Sequence, residues 1–152
     1  MRTSILIAVL SVGMMLFARL LMAALVLMGG GASIPAVLVP IVVAALILVG
    51  IVTGYRLAWQ WGRLLGLVGG ILLTLTAIGV FAKAGGRPGP LIVGSLVTLQ
   101  GVPLFPMFFA LGTQGARQHF RLICPQCGRS KPKGGNFLFT KAICKKCKAT
   151  WE

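Results

Sequence analysis

Apolar residues fall along the chain in four long runs, Ile5–Met28, Ile34–Val52, Leu64–Ala82 and Leu91–Leu111. Each run is close to the about 20 residues that a helix rising about 1.5 Å per residue needs to cross a hydrocarbon core of about 30 Å. The breaks between them are short. Gly29-Gly30-Gly31-Ala32-Ser33 comes first, then the polar and aromatic stretch from Tyr55 to Arg63, then Lys83-Ala84-Gly85-Gly86-Arg87-Pro88-Gly89-Pro90. Lipid offers the backbone no hydrogen bonds, so the runs must be helices, and short connections make successive helices antiparallel neighbours. The pattern predicts an all-α membrane domain over residues 1–111, a four-transmembrane-helix bundle. A linker over 112–123 and a separate module over 124–152 follow.

Composition agrees with a bilayer as solvent. Hydrophobic residues make up 57% of the 152 positions and charged ones 11%, where a soluble domain carries about 25% charged residues. Mean hydropathy is +0.96. Fifteen Lys and Arg stand against one acid, Glu152, and nine of those cations lie from Arg117 onward. Counted near helix ends, Arg2, Arg56, Arg63, Arg117 and Arg121 share one side and Lys83 and Arg87 the other, so the positive-inside bias puts both termini in the cytoplasm. A bacterial-type cytoplasmic membrane is the expected location, with Tyr55, Trp59 and Trp61 as an aromatic belt at its inner face. Met1 to Ala32 is expected to stay in the chain, because the run is too long for a signal peptide and carries Arg19. One histidine and one acid cannot assemble a general acid–base pair or a nucleophilic triad, so the expectation is a protein that is not an enzyme.

Within the spans, three features stand out. Gly50 and Gly54 close the second run, and Gly62, Gly66 and Gly70 lead into and open the third, each four residues apart. Small residues at that interval clear one helical face, which predicts a tight contact between the second and third helices or between subunits. Arg19 lies nine residues before Met28, about 13 Å from that helix end, and its insertion near a helix centre costs about 3 kcal/mol. Its partner is a lipid phosphate, a backbone carbonyl, Gln100 or a carboxylate of another subunit. Pro103 and Pro106, just beyond Gln100, should kink the fourth helix. Arg19, Gln100 and this kink together define an alternative reading as a small channel or transporter.

All four cysteines sit in the tail, as Cys124-Pro-Gln-Cys127 and Cys144-Lys-Lys-Cys147, sixteen residues apart. That C-x2-C-x16-C-x2-C spacing suits four thiolates closing on one structural Zn²⁺ with no position left for substrate. Reduced, metal-bound thiols also fit a cytoplasmic tail. Alternation in Asn136-Phe137-Leu138-Phe139-Thr140 predicts a strand. From Cys124 to Gly128 the residues resemble the zinc-ribbon family, whose knuckles read Cys-Pro-x-Cys-Gly. The resemblance covers residues 124–152 and implies a small β module of short antiparallel strands, with Phe137, Phe139 and Trp151 as its apolar contacts. Lys148 departs from it, standing where the pattern often has glycine. A rubredoxin-like iron site is the minor alternative, and His119 is expected to be a linker residue and not a fifth ligand. Arg129, Lys131, Lys133, Lys141, Lys145, Lys146 and Lys148 make the tail basic. Docking on an acidic protein or contact with anionic lipid headgroups ranks above nucleic-acid binding for a domain tethered at a membrane. The leading expectation is an accessory or scaffold subunit, associated with other membrane subunits or with copies of itself.

Overall fold

The computed structural model describes residues 2–29, 33–129, 133–134 and 141–151. Four helices are long and apolar enough to cross a membrane: Thr3–Met28, Ile34–Thr53, Arg56–Ala84 and Pro88–Gly112. The first span lies in α1 (Arg2–Met28) and the second is α2 (Ile34–Thr53). The third joins α3 (Arg56–Leu64) to α4 (Gly70–Ala84) through a π-helical turn at Leu65–Gly69. The fourth is α5 (Pro88–Gly101) followed by α6 (Leu104–Gly112). A short α7 (Gln114–His119) leads to three two-residue strands, β1 (Lys133–Gly134), β2 (Ala142–Ile143) and β3 (Thr150–Trp151), paired antiparallel in that order.

The third span begins at Arg56, eight residues before the apolar run that starts at Leu64. Tyr55 to Arg63 is therefore not a loop. The chain reverses at Gly54, whose φ of 75° is left-handed. Its amide reaches the Ile51 carbonyl and the Tyr55 amide the Gly50 carbonyl, a Schellman closure of α2. With the turn made so tightly, α3 starts at once. The third span is 29 residues long, about 43 Å, so it extends beyond a hydrocarbon core of about 30 Å.

The fourth span breaks where the prolines predict. Pro103 has no amide to give to the Leu99 carbonyl, and α5 stops at Gly101. Because α6 restarts at Leu104, Pro106 falls in its first turn, where a backbone amide has no helical acceptor to lose.

Packing is inverted relative to a soluble protein. On α1, Ala8, Val12, Met15 and Ala18 are buried at helical spacing, while Leu6, Leu10, Met14 and Phe17 are exposed. Every span keeps many large apolar side chains on its outer face, which is stable only where the surroundings are themselves apolar. Helix α1 lies against α2, α5 and α6, and α4 packs along α5.

The glycine row meets a different neighbour from the one its spacing suggested. A Cβ on Gly66 would sit 3.0 Å from Phe108 Cβ and 3.1 Å from the Leu104 carbonyl, and one on Gly62 would sit 3.0 Å from Leu111 Cδ1. Gly70 faces Phe105 at 3.3 Å. The row thus chiefly seats α6, because the break at Pro103 brings α6 across it, while Gly62 also reaches α2 at Ile51 Cδ1, 3.7 Å away. Gly50 does serve the 2–3 hairpin, where a Cβ would strike that of Ala58, and Gly54 lies under His119. Gly94 and Gly101, seven residues apart on α5, admit the Phe81 ring and the Leu73 backbone in the same way.

Replacing Gly66 by Ala is predicted to destabilise the bundle by about 1–3 kcal/mol, because backbone and not a flexible side-chain tip must move. Gly79, with nothing within 4 Å of its Cβ direction, is predicted to accept Ala with a change of about 0.5 kcal/mol or less. Thermal melting of the two variants in one detergent compares them, and equal melting temperatures would contradict the packing described.

Candidate metal centre and its seat on the bundle

Two turns of the same construction carry the cysteines. In the first, the Gly128 amide donates to the Cys124 carbonyl (3.0 Å) and the Cys124 amide to the Arg129 carbonyl (2.9 Å). In the second, the Lys148 amide donates to Cys144 (3.1 Å) and the Cys144 amide to Ala149 (2.8 Å). Gly128 and Lys148 occupy equivalent left-handed positions, φ 68° and 62°. Lysine at that position costs about 1–2 kcal/mol relative to a glycine.

The turns bring the sulfurs together. Cys124 and Cys147 Sγ are 3.5 Å apart, Cys127 and Cys144 3.4 Å, and Cys127 and Cys147 3.8 Å, with all four within 4.8 Å of one another. Four thiolates about 2.3 Å from a central ion form a tetrahedron with edges of about 3.8 Å, so the set fits a metal ion held by sulfur alone. Such a set is closed to substrate. Cys124 and Cys144 are buried while Cys127 and Cys147 are exposed. His119 lies outside the group.

The two thiols of the second turn are shifted in opposite directions. Backbone amides of Cys147 and Lys146 stabilise the Cys144 thiolate and pull it down to about 6. The Ala149 amide pulls Cys147 down as well, but loss of water and the adjoining Cys144, Cys124 and Cys127 sulfurs outweigh it and push Cys147 up to about 12. A cation at the centre reverses that repulsion, because it needs every sulfur as thiolate.

The cluster does not hang from a free linker. Phe120, Leu122 and Ala142 are buried in the same apolar cluster as Val12, Ile51, Ala58, Met107 and Leu111 of the spans. Residues 112–123, expected to be a linker, therefore carry α7 and part of the core. Arg56, at the start of α3, is 6% exposed and reaches up into the tail. It donates through one nitrogen to the Arg121 carbonyl (3.3 Å) and through another to the Trp151 carbonyl (3.5 Å). Trp151 Nε1 donates to the same Arg121 carbonyl at 2.8 Å. His119 Nε2 donates to the Ile51 carbonyl at 2.9 Å, and Trp59 Nε1 to the Leu111 carbonyl at 2.8 Å.

Of the expected aromatic belt, Tyr55 and Trp61 are exposed and Trp59 is turned inward. The Arg63 guanidinium lies 5.3 Å from the Trp59 ring and 4.9 Å from that of Phe108. Arg129, Lys141, Lys145, Lys146 and Lys148 are exposed, and four of them stand on the two cysteine turns. The expected strand at 136–140, with Phe137 and Phe139, lies outside the described residues, as does Lys131; of Lys133 the backbone enters β1. Arg19 and Gln100 are elsewhere. Gln100 is buried in α5, and neither it nor Pro103 lines the two cavities that Arg19 does. Sequence reading passed over Arg56 and His119 as tail contacts, since their partners are far away in the chain. No protein-family model, curated protein or solved structure matches the chain.

Two outcomes follow from this geometry. Arg56→Met keeps most of the volume but leaves the Arg121 and Trp151 carbonyls without their charged donor, and is predicted to loosen the tail by about 2 kcal/mol. Hydrogen exchange should then quicken at residues 142–151 and not in α4 or α5; unchanged protection there would rule out the seat. Protons compete with the ion for sulfur, so metal retention should fall with pH, most steeply below about 6, where Cys144 also holds a proton in the metal-free cluster. Chelator competition between pH 8 and 5 reads this, and retention that improved on acidification would contradict a thiolate site.

Proposed function

We propose that the chain is a non-enzymatic integral membrane accessory or scaffold protein that presents a zinc ribbon to an acidic surface of a protein partner within a larger membrane assembly. The observation that carries this reading is the seat itself: a four-cysteine module with a basic, exposed tip is fixed to the end of the bundle through Arg56. A fixed module is suited to positioning a partner relative to the membrane. Zinc is the proposed ion because four thiolates at C-x2-C spacing favour it, and a closed site argues for structure rather than chemistry. The proposed ribbon resemblance is supported by the two matching cysteine turns and the three short antiparallel strands.

The module faces the cytoplasm in this reading. Arg56, Arg63, Arg117 and Arg121 belong to the elements at the cysteine end, and Lys83 and Arg87 to the opposite turn, which keeps the positive-inside arithmetic intact. A transport path is less well supported, since Gln100 and Pro103 do not join Arg19 in its cavities.

A photo-crosslinking residue in place of Lys145, in native membranes, tests the proposal. The expected product is one defined protein adduct that disappears when Cys144→Ser opens the module. Adducts to lipid alone, to nucleic acid, or none at all would overturn the reading.

A further inference from the structure

Arg19 has no use in the seat described above, and it sits in the half of the bundle away from the cysteines. Helix α1 is 27 residues long, about 40 Å, and overshoots a hydrocarbon core of about 30 Å. Centred in the bilayer, it brings Arg19 within about 9 Å of headgroup level at the Met28 end. The Arg19 Nε is buried and has no hydrogen-bond partner among the described residues. The described residues include no Asp or Glu, so no carboxylate among them neutralises Arg19.

Two spaces adjoin at this side chain. One, about 240 Å³, lies between α1 and α2 and is lined by Arg19, Met22, Val26, Val37, Pro40 and Ile41 among others. The other, about 180 Å³, lies deeper among the spans, where Val12, Met15, Ala44, Leu65 and Met107 meet Arg19 and Pro40. Apart from the guanidinium, the side chains on both walls are apolar.

We propose that this groove binds an amphiphile with an anionic head, its carboxylate or phosphate at the Arg19 guanidinium and its hydrocarbon in the apolar spaces. Charge complementarity selects the head, since a half-buried guanidinium whose Nε has no partner among the described residues attracts a planar or tetrahedral oxyanion. The walls select the tail. A water-soluble anion would find one cation and no other charged group, and would lose its hydration for it. Spaces of about 240 and 180 Å³ suit a single extended hydrocarbon chain better than a partner helix about 10–12 Å across with its side chains. The inference stands apart from the scaffold reading, because it uses no residue of the tail.

The test is native mass spectrometry of the full-length protein in mild detergent, titrated separately with palmitate, phosphatidylglycerol, phosphatidylcholine and inorganic phosphate. One equivalent of palmitate or phosphatidylglycerol is expected to bind, with roughly tenfold weaker binding in Arg19→Gln and partial retention in Arg19→Lys. Whichever anionic probe binds more tightly identifies the head. Arg87→Gln, which removes an exposed cation at the same end of the bundle, should leave binding unchanged. Val37→Trp, which fills the outer space and keeps Arg19, should abolish it, and this arm stands even if Arg19→Gln fails to fold. Equal binding in wild type and Arg19→Gln, or anionic lipids no tighter than phosphatidylcholine, would overturn the proposal. So would a photo-crosslinker at Ile41 that traps a protein segment in native membranes.

Discussion

Hydrocarbon gives no reward for burying a large apolar side chain, and the organisation of this chain follows from that constraint. Many Leu, Ile, Val and Phe side chains remain on the outside of the spans, so close backbone approach works beside the few large side chains, such as Ile51, Leu104, Met107 and Leu111, that pack between them. Gly62, Gly66 and Gly70 let α6 lie against the third span, and Gly94 and Gly101 do the same between α4 and α5. The proline break at residue 103 belongs to this arrangement, because it turns α6 into the glycine row. Polar backbone released by the break is absorbed locally, with Pro106 in the first turn of the new helix.

At the cysteine end the constraint changes, and so does the means of holding the structure. The three strands have two residues each, far too few to make a core, and the module draws on the bundle for one. Phe120, Leu122 and Ala142 enter the apolar cluster of the spans, while Arg56 commits its donors to the carbonyls of Arg121 and Trp151. Through these contacts Arg56 couples the tail to the third span across 95 residues of sequence. The cysteine cluster adds the covalent-strength part of the closure once an ion is present.

Much of this was legible in the sequence, for physical reasons that differ by region. The four spans are visible because apolar length alone sets a membrane helix, and the cysteine cluster because its sulfurs lie in two local turns. The start of the third span was hidden: Arg56, Trp59, Gln60 and Arg63 read as a polar break, yet a helix end at an interface tolerates those residues when one face is buried. The partner of the glycine row was hidden too, since spacing marks a cleared face without saying what fills it. Residues 112–123 looked like a linker because their burial depends on contacts with α1 and α2 that no local pattern records. The cavity beside Arg19 required Pro40 and the interior of all four spans, and only the unpaired charge pointed toward it.

The central proposal is that a zinc ion bound by the four sulfurs closes the tail against the bundle. Elemental analysis of the full-length protein, purified in mild detergent at neutral pH, tests it most directly. The account predicts one zinc per chain, falling to background in Cys144→Ser while the helical signal of the spans persists. Four freely titrating thiols with no metal, or stoichiometric iron in place of zinc, would contradict it.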